Sequence, residues 1–151
     1  MQTPFHQRDG HCGPASLKIV LEEFGISATE KKIASLSRYT NIGGTTAQNL
    51  VKAAKVFGIK GIIKDNADLK DIKKYIDKNC EIIIEWFSED DGHFSVITKI
   101  DKENVYLLDP ELGHLRAMRN DIFKRVWFSF ENKFMKSKDD LILRRMIIFS
   151  K

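Results

Sequence analysis

The chain has 151 residues, 42% of them hydrophobic and 30% charged, with 25 Lys+Arg against 21 Asp+Glu. That balance excludes a disordered tail, and the length suits one domain spanning 1–151 whose core needs neither disulfides nor metal. A net charge of +4 raises nucleic acid as a partner, but the lysines alternate with acids, as at Glu30-Lys31-Lys32 and Asp71-Ile72-Lys73-Lys74; a solvated surface and no nucleic-acid footprint are expected.

After a short polar segment, apolar residues Leu17, Val20, Leu21 and Phe24 recur at helical spacing, which predicts a helix over 13–24 stopped by Gly25. A second helix is predicted over 29–37, with Ile33 and Leu36 inward. Gly43-Gly44 breaks the chain; Thr45 then caps a third helix through Phe57, closed by Gly58, with Leu50, Ala53, Ala54 and Phe57 inward. A strand follows over 59–63, and Asp68 caps a helix that runs to Lys78 and turns Leu69, Ile72 and Ile76 inward. The segments 81–87, 93–100 and 105–108 are rich in β-branched and aromatic residues and read as strands, the last two joined by a turn at Asp101-Lys102-Glu103. Gly113-His114 reads as a turn, 121–126 as a short helical turn, and 141–149 as a late strand that includes Arg144-Arg145. Helices first and an antiparallel sheet after make the class α+β, helices packed on the sheet.

Two cysteines, Cys12 and Cys80, are too few for a disulfide framework and are expected to be free, Cys80 as a packing residue. No basic region followed by an apolar stretch opens the chain, and runs such as Ile82-Ile83-Ile84 fall far short of a membrane span, so the expected location is the cytoplasm. No cofactor is expected. A metal site from His6, His11 and Cys12 lacks the spacing zinc favours, and Asp90-Asp91-Gly92 lacks the alternating ligands of a calcium loop.

Cys12 carries the chemistry. Gly13-Pro14 follows it, and proline suits a helix's first turn because its missing N–H would be unpaired there anyway. The sulfur thereby sits where free N–H groups and the helix dipole favour a thiolate, the reactive form of cysteine. Among the four histidines, His6 and His11 are too near in the chain to be held against Cys12, and His114 sits in the predicted turn. His93 opens a strand anchored by Phe94, Val96 and Ile100, which makes it the expected base. A three-residue loop at 101–103 would pair Ser95 with Asp109 and set Asp109 diagonal to His93 on one face, ready to orient it; an even loop would throw Asp109 to the other face. Gln7, whose amide donates hydrogen bonds, completes the set as oxyanion donor with the Cys12 backbone N–H.

Gln7, Cys12-Gly13-Pro14-Ala15-Ser16-Leu17, His93-Phe94-Ser95-Val96-Ile97 and Leu108-Asp109-Pro110 with Gly113, in that order, resemble the bacteriocin-processing, double-glycine cysteine peptidases and the wider stand-alone branch around them. The helix that ends at Gly58 and the segment 123–127 fit as well. The resemblance implies a papain-like fold with Gln7 at the oxyanion, Cys12 as nucleophile, His93 as base and Asp109 as its orienter. It also implies a peptide or protein substrate, and in the bacteriocin branch a place beside a transporter whose leader peptides are cut after Gly-Gly. His11 stands where that branch usually carries an acid. A deamidase or transglutaminase using the same acyl transfer, or a non-catalytic peptide-binding domain of the same fold, are the alternatives.

Overall fold

The computed structural model describes residues 12–40, 44–88, 91–110, 113–132 and 134–151. Three helices come first: α1 (Cys12–Glu23), α2 (Glu30–Leu36) and α3 (Ala47–Val56). Thr29 caps α2 by accepting the Lys32 N–H. The cap of α3 is Thr46 rather than Thr45. The physical reason is competition, since the Thr45 hydroxyl already donates to the Ser37 carbonyl and ties the loop back to α2. Strand β1 (Lys60–Lys64) is followed by α4 (Leu69–Asp77), which starts with a full capping box between Asp68 and Asp71.

Strands β2 (Glu81–Ser88), β3 (Asp91–Ile100), β4 (Asn104–Asp109) and β5 (His114–Arg119) form a meander. A short helix α5 (Asn120–Val126), a two-residue ribbon of β6 (Phe128–Ser129) with β7 (Ile142–Leu143), and β8 (Arg145–Ser150) complete the chain. The main sheet has six strands in the order β1-β8-β2-β3-β4-β5, all neighbours antiparallel.

Three departures from the sequence reading have physical causes. The turn holds at Gly113, whose φ is positive and whose N–H bonds the Asp109 carbonyl, but His114 already belongs to a strand and pairs with Asp109. The late strand is cut in two at Arg144, whose φ of 48 breaks the pleat, and its N–H is taken by the Trp127 carbonyl. Finally, Ile100 pairs with Val105, so the β3–β4 loop is even, and yet Val96 pairs with Leu108. A bulge between Ile97 and Lys99 supplies the missing residue and restores the parity at the far end. The Thr98 hydroxyl there donates to the Tyr106 carbonyl.

The N-terminal helices pack on the sheet as expected, and its second face is covered too. Leu17, Val20, Ile33, Leu50 and Ala53 meet Ile83, Phe94, Val96, Ile147 and Phe149 on one side. Ile72, Phe123 and Trp127 meet Ile82, Ile84, Trp86, Ile97, Leu107 and Ile148 on the other. Central strands β2 and β8 are apolar at successive positions because both of their faces are buried. Cys80 packs at the margin of the second cluster. Among the described residues, no helix is long and apolar enough to cross a membrane.

Candidate active site

Cys12 is the first residue of α1 and is half-buried, with a free thiol. The helix is pressed close to its neighbours at this point. A Cβ on Gly13 would stand 2.5 Å from Thr45 Cγ2 and 3.4 Å from Phe94 Cδ2. Thr45 cannot swing aside without giving up its bond to Ser37. Gly13→Ala is therefore expected to cost about 1–3 kcal/mol and to move the start of α1. Denaturant unfolding checks this as a lower midpoint at unchanged slope.

His93 lies on β3 directly opposite Trp86 on β2, and is 6% exposed. Its Nε2 stands 2.8 Å from Asp109 Oδ1, and the Asp109 side chain is 1% exposed. The bulge sets this diagonal, since Val96 opposite Leu108 carries His93 and Asp109 to one face. Nε2 is taken by Asp109, so Nδ1 is the nitrogen that serves the hydrogen bond between His93 and Cys12. Burial, the largest influence, disfavours charge on this ring. Hydrogen bonds with Asp109 and Cys12, and the negative charge of each, outweigh it, and the His93 pKa is pushed up from 6.5 to about 10. These partners favour the protonated form of the ring.

Around this group stand residues that the sequence did not point to. The Trp86 ring lies edge-on to His93 with centroids 5.7 Å apart, and its N–H donates to Ser95 Oγ at 3.0 Å. Arg116 Nη1 is 3.6 Å from Asp109 Oδ2. The Tyr39 hydroxyl is pushed above its ordinary pKa by burial first, then by the charges of Cys12 and Glu30, which places the phenol in the field of the Cys12 sulfur. Of the residues singled out in the sequence, Cys12, His93 and Asp109 come together here. Gln7, with His6 and His11, lies outside the described residues. His114 pairs with Asp109 across β4–β5, with its side chain exposed. Among the described residues no group of three or more His, Cys, Asp or Glu could hold a metal ion.

Comparison with known proteins finds similarity in sequence and in fold. An uncharacterized protein of Methanothermobacter thermautotrophicus is 34% identical over 122 residues, covering 80% of this chain and 78% of that protein. A lactococcin transport/processing ATP-binding protein (LcnC-like) of Lactococcus lactis is 29% identical over 120 residues, 77% of this chain and 16% of its own length. In three dimensions the chain is similar to the peptidase domain of Streptococcus ComA, a bifunctional ABC transporter of a quorum-sensing pathway: TM-score 0.74, 22% identity, 99% of this chain and 98% of that one. It is similar also to a double glycine motif protease of an AMS/PCAT transporter in complex with its leader peptide: TM-score 0.73, 20% identity, 97% and 89% covered. The fold is accordingly the α+β, papain-like one of such peptidase domains. The model of the peptidase C39 family matches residues 3–133, most of the chain, and the chain therefore belongs to the peptidase C39 family.

Proposed function

We propose that the chain is a cysteine peptidase that hydrolyses a peptide bond in a leader or precursor peptide. The observation that carries this reading is His93, bridged to Asp109 through Nε2 and hydrogen-bonded to Cys12 at the first turn of α1. In the proposed reaction the Cys12 thiolate attacks the carbonyl carbon and forms a tetrahedral intermediate. The Gln7 amide and the Cys12 backbone N–H hold the oxyanion. His93 gives its proton to the leaving amine, and a thioester remains on Cys12. Water, deprotonated by His93, then attacks the thioester and releases the acid, returning Cys12 to the thiolate and His93 to the imidazolium of the first state. Asp109 keeps the ring turned so that Nδ1 meets sulfur throughout. The substrate class rests on the family and on similarity to domains of peptide-processing transporters, which supports a peptide presented in the cytoplasm beside such a carrier.

Incubation with peptide libraries, followed by mass spectrometry of the products, tests the reading. Cleavage by the wild type and none by Cys12→Ala is the expected result. Release of ammonia from side-chain amides without backbone cleavage would replace it with deamidation. Equal binding by both proteins with no product from either would make the chain a peptide-binding domain.

A further inference from the structure

Trp86 and Arg116 touch although they stand on strands that are not neighbours. Trp86 belongs to β2 and Arg116 to β5, with β3 and β4 between them. The Arg116 guanidinium carbon nevertheless lies 5.4 Å from the centroid of the Trp86 ring. Adjacent strands are about 4.8 Å apart, so the two side chains meet only by reaching over β3 and β4. The register says what they cross. His93 is opposite Trp86, and Asp109 is opposite His114, two positions from Arg116 on the same face. The two side chains meet beside the His93–Asp109 hydrogen bond, Trp86 against the imidazole and Arg116 against the carboxylate.

Each end of this pair is fixed. Trp86 is tied to Ser95 through its N–H and lies edge-on against the imidazole. Arg116 reaches Asp109 Oδ2 at 3.6 Å while His93 occupies Oδ1 at 2.8 Å, so the carboxylate is gripped through both oxygens. Arg116 is 38% exposed and Asp109 1%, so the guanidinium meets water on one side and the buried carboxylate on the other. A planar cation is suited to this place, since it can lie on an aromatic face and meet a carboxylate with its rim.

We infer that Arg116 is a positioning residue: with Trp86 it fixes the Asp109 carboxylate through Oδ2 and keeps water from the His93–Asp109 hydrogen bond. The inference rests on the proposed peptidase reading, because the pair it guards is the one assigned to the chemistry. Arg116 touches no substrate and acts only through Asp109 and His93.

The test is the exchange with water of the His93 imidazole N–H, followed by NMR on histidine-labelled protein and assigned by its loss in His93→Ala. The wild-type resonance is expected to be observable and protected. In Arg116→Met, exchange should quicken by about tenfold, as befits the loss of a partly exposed cation–π contact and ion pair. Arg116→Lys, which keeps the charge but not the plane, should fall between the two, and it decides the matter alone if Arg116→Met does not fold. Alkylation of Cys12 near neutral pH should slow in the same order, with thermal unfolding little changed. Unchanged exchange in the variants, or an unprotected proton in the wild type, overturns the inference. Failure of the peptidase reading looks different: Cys12 would then react no faster than Cys80 in the wild type, while the exchange rates would still report on Arg116.

Discussion

His93→Ala is expected to slow alkylation of Cys12 at about pH 6 by on the order of 100-fold, because an isolated cysteine is ionised to only about 0.3% there. The imidazolium supplies the difference. Cys80, half-buried and packed at the margin of the second core cluster, serves as an internal reference in the same molecule. Mass spectrometry of peptides after timed labelling reads both thiols at once. The sign of the pH dependence follows from His93, whose pKa is raised from 6.5 to about 10. The stability contributed by its proton is complete below about pH 6.5 and is lost as pH climbs through about 10. Thermal stability should thus fall in alkali more steeply for the wild type than for His93→Ala. Equal labelling of Cys12 and Cys80 at about pH 6 in the wild type would remove the basis for a thiolate–imidazolium pair.

The second large effect is expected far from Cys12 in sequence, at Arg145. Its guanidinium grips Asp65 with two bonds, at 2.7 and 3.0 Å, and stands 3.8 Å from Glu85 Oε1. Glu85 is 8% exposed and faces Arg145 in register across β2 and β8. Burial raises the Glu85 pKa, and Arg145, followed by a hydrogen bond with Ser129, pulls it back. Arg145→Ala leaves a buried carboxylate without its counter-charge, at a cost of about 3–5 kcal/mol. At this chain length that corresponds to a fall of about 10 °C in Tm. Because the Glu85 pKa is raised, the folded state favours its neutral form; stability tied to that proton is full below about 4.5 and drains as pH rises through the raised value. The loss in Arg145→Ala should accordingly be smaller in mild acid than at pH 8, and Glu85→Gln should restore part of it. Identical losses at both pH values, with no rescue, would show that Arg145 matters only for packing.

Much of the first half was legible because local rules governed it. Helical spacing marked Leu17, Val20 and Leu21 as inward, and all three are buried. The Asp68 cap was readable for the same reason, since the partner of a capping side chain lies three residues away. What escaped was set by distant contacts. Strand β5 exposes four of its six residues and fully buries only Met118, so it carries no alternation to read. The place of β8 between β1 and β2 is a property of the whole sheet, and no window of sequence records strand order. The diagonal between His93 and Asp109 was reasoned from an odd loop; the loop is even and a bulge at Thr98 compensates, which nothing about a threonine announces. Trp86 and Arg116 escaped for a similar cause, because each reaches the site from a strand whose position only the sheet defines, while Tyr39 comes from the segment just after α2.

The central place of β8 also has a meaning in time. A ribosome makes Cys12 long before it makes Arg145–Ser150, yet the cluster beneath α1 includes Ile147 and Phe149 from that late strand. Until β8 emerges, β1 has no partner in the sheet and the underside of α1 lacks part of its floor. Folding of this architecture is dominated by pairings between distant segments and must await the synthesis of β8. Cys12, the proposed nucleophile, thus precedes by more than a hundred residues the strand that completes its surroundings, so that a growing chain holds the thiol without the floor of the folded site.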